Sequence, residues 1–339
     1  MITREGLEQR EYQILSPLAA KSADSAGRVA PEEKCLIRTD FQRDRDRIIH
    51  SKAFRRLMHK TQVFLAPEGD HFRTRLTHTI EVSQIARTIA RGLALNEDLT
   101  EAIAMGHDLG HTPFGHNGES VLGQKHPGGF KHNEQSLRVV DVLEGRKGEK
   151  ERGLNLTLEV RDGICHHTGN TLPMTLEGQT VKISDRIAYI NHDIDDALRS
   201  GVISESDLPK ECLEVLGHDH RSRIDTLVKD LMVNSEGKAK ISLSDLCASH
   251  MEKLRNFMFQ CVYHNNNVKK HEDLMKVEKI IVGLYDYFVA HPEDIPEERR
   301  YMTCEFGIYE VVKDHIAGMT DRYAMNLYHK LFTDLKEIL

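Results

Sequence analysis

Apolar residues recur at three- and four-residue spacing along most of this 339-residue chain, while runs alternating with period two are scarce. That pattern confines the chain to an all-α fold. In RDRDRIIHSKAFRRLMHK, Ile48, Ile49, Ala53, Phe54 and Leu57 share one face, and Pro67 and Gly69 are expected to end the helix. Leu76, Ile80, Ile85, Ile89 and Leu93 make an apolar stripe that predicts a helix over 74–93. Capping residues between Asn96 and Thr100 open a short helix at 99–107. Gly110, Pro113, Gly115 and Gly118 then predict an irregular turn. Further helices are expected at 133–144, 154–167, 180–199, 250–265, 272–290, 307–316 and 320–338, with polar connectors at 201–207, 217–222 and 233–240. The small, polar stretch 21–33 reads as a flexible linker. The expected organisation is an N-terminal arm (1–45), a helical core (46–200) and a helical C-terminal region (201–339).

Nothing in the sequence approaches an 18-residue apolar run, and the first residues carry charges where a leader needs an apolar stretch, so a cytoplasmic protein is expected. A net charge of −7 argues against a chain that coats nucleic acid. The six cysteines are scattered without a C-x-x-C pair, which excludes the usual thiolate zinc patterns and reads as buried small hydrophobes.

Histidine is the anomaly, with 20 in the chain and 12 of them between His50 and His192. In GHDLGHTPFGHNGE, His107 and Asp108 are adjacent where a helix gives way to a Gly/Pro turn, a place where side chains can converge on an ion. His78 lies mid-helix upstream and Asp185 downstream. Two imidazoles and two carboxylates suit manganese, magnesium, iron, cobalt, nickel or zinc, and a four-ligand ion keeps positions open for water and a phosphate oxygen.

The order and context of these residues resemble the HD superfamily of metal-dependent phosphohydrolases, and more narrowly the bacterial dGTP triphosphohydrolase (dGTPase) family. The matching blocks are HSKAFRRLMHKTQVF (50–64), GDHFRTRLTHTIEVSQIAR (69–87), GHDLGHTPFGHNGE (106–119), FKHNEQSLR (130–138), ISDRIAYINHDIDDAL (183–198), LRNFMFQCVY (254–263) and DHIAGMTDRYA (314–324). The resemblance implies an HD-domain helical core with additional C-terminal helices, one divalent metal per site on His78, His107, Asp108 and Asp185, and removal of triphosphate in one piece from a deoxynucleoside triphosphate (dNTP). It also implies a homo-oligomer, hexamer or tetramer, and a nucleotide or single-stranded DNA effector.

Hydrolysis of that kind needs a proton for a poor alkoxide leaving group. His116 matches the family's candidate acid, with Glu119 to orient it and His132 as a further catalytic candidate. Several phosphate charges need cations and donors: Arg75, one helical turn before His78, matches a phosphate contact, His111 matches a contact to the α-phosphate, and Arg186 follows the metal-binding Asp185. On the helix through 185, Asp185, Tyr189 and Asp193 fall at i, i+4 and i+8. By resemblance Tyr189 lies against the deoxyribose, and Asp193 with Gln62 reads the 3′-hydroxyl. Arg255 and Tyr263 carry over as phosphate and base or sugar contacts.

Other residues read more plainly. Arg55, Arg56 and Lys60 read as a solvated helix face, and His166–His167 as structural. His192 is expected to support the ligands or lie exposed, and the His218–His220 pair reads as incidental. Two rival functions stand beside a dNTP triphosphohydrolase: a phosphodiesterase or 5′-nucleotidase of the HD class, and a nucleotide-binding regulator without turnover.

Overall fold

The computed structural model describes residues 1–62, 73–145, 153–263 and 271–333. Pro67 and Gly69 lie outside these residues. The fold is all-α: among the described residues the only extended pairings are two isolated bridges, Arg28 with Thr157 and Thr61 with Thr74. Two compact units alternate along the chain: one comprises 1–49, 78–107 and 155–269, the other 50–77, 108–154 and 270–339.

In the first unit the helices Asp40–Ile49, Glu97–Gly106, Leu158–His166 and Leu176–Arg199 pack around one another. The close approach depends on glycine. A Cβ on Gly106 would sit 2.4 Å from Ile164 Cδ1, and one on Gly163 would sit 2.5 Å from Ile103 Cδ1. Asn96 caps the helix Glu97–Gly106 by accepting from the Leu99 amide at 3.2 Å. The stripe expected on 74–93 begins later than its spacing suggests. Val82, Ile85, Ala86, Ile89 and Ala90 of the helix Arg75–Gly92 are buried, whereas Ile80 is exposed.

The segment 21–33 is not a free linker but is held by its polar groups. Glu11 accepts from the amide and hydroxyl of Ser22, and Glu159 accepts from the Ser25 hydroxyl and the Ala26 amide. Arg28 donates to Asp44, whose other carboxylate oxygen accepts from the amide and hydroxyl of Thr157. Composition marks this stretch as polar; only the distant carboxylates show that the polarity is matched.

In the second unit, the helices Gly115–Lys125, His271–Ala290, Ile308–Ala317 and Asp321–Thr333 enclose an apolar cluster that includes Leu122, Ile281, Leu284, Phe288, Val312 and Ile316. The helix Gly115–Lys125 departs from expectation, since its glycines read as a turn. It begins behind Phe114, whose φ of 65° is left-handed. The helix expected to run from Asp40 to the break at Pro67 and Gly69 is also interrupted, ending at Ile49; Ser51 then caps a new turn by accepting from Phe54 N. The expected 133–144 helix is regular over His132–Arg138 and widens to a π-turn over Val139–Leu143, as the 250–265 helix does over Phe259–Tyr263.

Candidate metal centre and histidine cluster

Three of the four expected metal ligands belong to the first unit. His78 lies in the first turns of Arg75–Gly92, His107 directly follows Glu97–Gly106, and Asp185 lies mid-way along Leu176–Arg199. His78 Nε2 is 3.0 Å and His107 Nε2 is 3.8 Å from the same oxygen, Asp185 Oδ1. Both imidazoles are buried, and the carboxylate is only slightly open. His107 Nδ1 sits 2.7 Å from the Ala104 carbonyl, which fixes the proton on Nδ1 and turns the Nε2 lone pair toward Asp185. Metal-bound histidines are held in that way, so the donor set fits a divalent ion. Asp108, the next residue in the chain, belongs to the second unit.

Three further imidazoles pack around these rings. The His167 ring stacks edge-on to His107 with centroids 5.1 Å apart, its own Nδ1 held on the Ile164 carbonyl. His192 is buried, with its centroid 6.0 Å from that of His78, and His220 lies against its other side at 5.5 Å. His167 is therefore structural as expected, whereas His220, expected to be incidental, belongs to the packing around the candidate ligands. Each meets its partner across tens of residues, which periodicity cannot reveal.

Further along the same helix, Tyr189 and Asp193 share the face of Asp185 as their spacing requires. Burial and the Asp185 carboxylate push the Tyr189 hydroxyl up to about 12, against the opposing pull of Arg255, which hydrogen-bonds to it. Tyr189 therefore stays neutral beside Arg255. Asp193 is buried and Arg186 half-buried. The side chain of Tyr263 lies outside the described residues.

In the second unit, Asp108 anchors a polar row. Its Oδ2 accepts from Arg75 Nη1 at 2.9 Å and its Oδ1 lies 3.3 Å from His111 Nε2. Arg75 is wholly buried, and its Nη2 reaches the Gln62 carbonyl at 3.5 Å. The Gln62 amide oxygen is buried without a hydrogen-bond partner among the described residues.

The His111 ring stacks on that of His132 with centroids 4.0 Å apart. His132 Nδ1 is 2.9 Å from Glu119 Oε1, and His116 Nδ1 is 3.2 Å from Glu119 Oε2. Glu119 thus holds both imidazoles, where spacing alone pairs it with His116. Burial would push the Glu119 carboxyl up, but hydrogen bonds from His116 and His132 hold it far below the usual range. Burial also pulls His132 down, yet Glu119 outweighs it and raises this imidazole. Burial, then Arg75 and His132, keep His111 well below its ordinary value and therefore neutral.

Lys60, expected on a solvated face, is a buried support for this row. Its Nζ donates to the carbonyls of His111 and Ala317, and burial lowers it to about 7. Asp321 accepts from Phe114 N at 3.0 Å and from Thr61 N at 2.9 Å. The loop that carries His111 and His116 is therefore tied to the residues before Gln62 and to the start of the helix Asp321–Thr333.

Residues 75–190 match the HD domain and residues 241–330 the phosphohydrolase-associated domain. Three curated relatives carry the name deoxyguanosinetriphosphate triphosphohydrolase-like protein. The protein of Caldanaerobacter subterraneus subsp. tengcongensis is 57% identical over 98% of this chain and 96% of its own. That of Desulfatibacillum aliphaticivorans is 50% identical over 98% of both chains, and that of Clostridium tetani 46% identical over 98% of this chain and 97% of its own. No helix among the described residues is long and apolar enough to cross a membrane. The chain belongs to the deoxyguanosinetriphosphate triphosphohydrolase-like family of HD-domain phosphohydrolases.

Proposed function

We propose that this chain is a cytoplasmic, metal-dependent dNTP triphosphohydrolase that cleaves dGTP or other dNTPs into deoxynucleoside and tripolyphosphate. The observation that carries the reading is the convergence of His78 and His107 on one oxygen of Asp185, with Asp108 next in the chain. His78, His107, Asp108 and Asp185 are the residues that would hold the divalent ion. A bound ion supplies a more acidic water and a polarised phosphoryl oxygen.

Water attacks the α-phosphorus, a new P–O bond forms, and the bond from phosphorus to the sugar 5′-oxygen breaks. The alkoxide takes a proton from His116, whose ring Glu119 orients through Nδ1. The same carboxylate fixes the tautomer of His132, which stacks on His111 at the α-phosphate. Arg75 and Arg186 offer guanidinium groups to the phosphate chain, and Arg255 does so beside Tyr189. Tyr189 fills the space at C2′ and so rejects a ribose hydroxyl, while Gln62 and Asp193 read the 3′-hydroxyl. A homo-oligomer, hexamer or tetramer, and activation by a nucleotide or single-stranded DNA belong to the same reading.

Each dNTP and each ribonucleotide, singly and in mixtures, is incubated with metal-supplemented protein, and the products are separated by anion exchange. Deoxynucleoside with tripolyphosphate, lost in both His116→Ala and Asp185→Ala, supports the reading. Monophosphate with pyrophosphate contradicts it and favours a phosphodiesterase-like reaction; binding without any product favours a regulator.

A further inference from the structure

We propose that His111, His116, Glu119 and His132 form a second metal site, selective for a zinc-like divalent cation, whose occupation switches the enzyme off. One ligand atom from each of the four lies within 4.8 Å of the others. The set is three imidazoles and one carboxylate, richer in nitrogen than the two-imidazole, two-carboxylate centre. Such a set suits zinc, copper or nickel better than magnesium or manganese, and four protein ligands suit the tetrahedral preference of zinc.

Three features show that the cluster is built and not a chance gathering. First, His111 is almost fully buried, with its Nε2 on Asp108, while its Nδ1 has no hydrogen-bond partner among the described residues. A buried ring nitrogen with its lone pair unused can serve as a metal ligand. Second, the backbone around it is fixed: Lys60 and Gly110 N, the latter on Ser136 Oγ at 2.9 Å, pin the loop against the helix that carries His132. Third, the ligands differ in freedom. Glu119 and His132 are mostly buried, whereas the His116 side chain is 69% exposed.

Two nitrogens on one tetrahedral zinc lie about 3.4 Å apart, given bonds of roughly 2.1 Å. The cluster must therefore contract on binding, and exposed His116 is the arm free to swing in. A cation seated there displaces the protons that Glu119 now holds on His116 and His132. In the reaction proposed above, His116 supplies the proton for the leaving oxygen, so occupation removes the acid. Binding stands on the geometry alone; only the inhibitory consequence rests on the proposed reaction.

The full-length protein is stripped with a chelator and titrated with zinc against a competing indicator, and with cobalt while the visible spectrum is followed. Turnover is measured separately in excess manganese as zinc is added. Wild type is expected to take two equivalents per chain, Asp185→Ala to keep one with the intense visible bands of tetrahedral cobalt, and His116→Ala and His132→Ala to lose at least about 10-fold in affinity for that equivalent. His116 is on the surface, so its variant reports on binding without threatening the fold. Turnover is expected to fall in step with the second equivalent and to return on chelation. One equivalent in wild type, or a second unaffected in both histidine variants, overturns the site. A second equivalent that leaves turnover unchanged overturns its inhibitory role, whereas failure of the dNTP reaction leaves the metal count intact.

Discussion

His78 Nε2 and Asp185 Oδ1 lie 3.0 Å apart although 107 residues separate them in the chain. A histidine from the start of one helix and an aspartate from the middle of another meet in a buried place, with His107 beside them. Both groups offer ligand atoms that a single divalent ion could share. Replacing Asp185 with alanine is therefore expected to abolish tight binding of the first metal equivalent and to lower turnover at least about 100-fold. Metal content after dialysis and kcat in excess manganese check this; retention of both would remove Asp185 from the ligand set.

Glu119 is the shared support of His116 and His132. Glu119→Gln keeps the size but cannot hold protons on two ring nitrogens at once. A positioned acid contributes about 100- to 10,000-fold, so kcat is expected to fall within that range while KM changes little. His116→Ala is expected to match it, and the double variant to lose no more than either alone. Additive losses would show that the two act separately.

Gly110 tests how closely the loop that carries His111 must approach its neighbour. A Cβ there would stand 2.2 Å from Ser136 N and 2.5 Å from the His132 carbonyl, both backbone atoms that cannot swing aside. Gly110→Ala is expected to cost about 1–3 kcal/mol of stability. Because the clash moves His111 away from His132, activity should fall more than stability does. Denaturation midpoints and kcat, measured together, check this.

Glu177 gives the stability a pH dependence of its own. It accepts from Ala20 N at 3.0 Å and Asn96 N at 2.9 Å, and burial raises its carboxyl to about 7 despite those bonds. The folded protein then keeps a proton that the unfolded chain has released, so stability falls as pH rises from about 4.5 to 7 and levels off above. The loss is at most roughly 3 kcal/mol. Glu177→Gln is expected to flatten the dependence, read from urea denaturation at pH 5 and pH 8; an unchanged slope would show that Glu177 does not carry it.

Much of this architecture was legible in the sequence, and the failures share a cause. The helices Leu176–Arg199 and His271–Ala290 follow their apolar spacing, and Arg75–Gly92 follows it from Val82 onward. The helix Gly115–Lys125 did not, because its glycines read as a break although a left-handed Phe114 lets it start. Lys60 was read as solvated since charge on a helix face usually is; only tertiary contact shows its amine between two carbonyls. The polar stretch 21–33 reads as a free linker for the same reason, its carboxylate partners lying far along the chain. At the site, the i, i+4, i+8 row from Asp185 to Asp193 was legible because helical geometry dictates it. The stacking of His111 on His132, and the placing of His167 and His220, depend on long-range packing that no local spacing encodes.

The central claim, metal-assisted attack of water at the α-phosphorus, is tested most directly by running the reaction in oxygen-18 water and weighing both products. One heavy oxygen in tripolyphosphate and none in the deoxynucleoside is the expected result, because the phosphorus–oxygen bond breaks and the sugar keeps its own oxygen. Heavy oxygen in the deoxynucleoside, or label in a nucleoside monophosphate released with pyrophosphate, would contradict it.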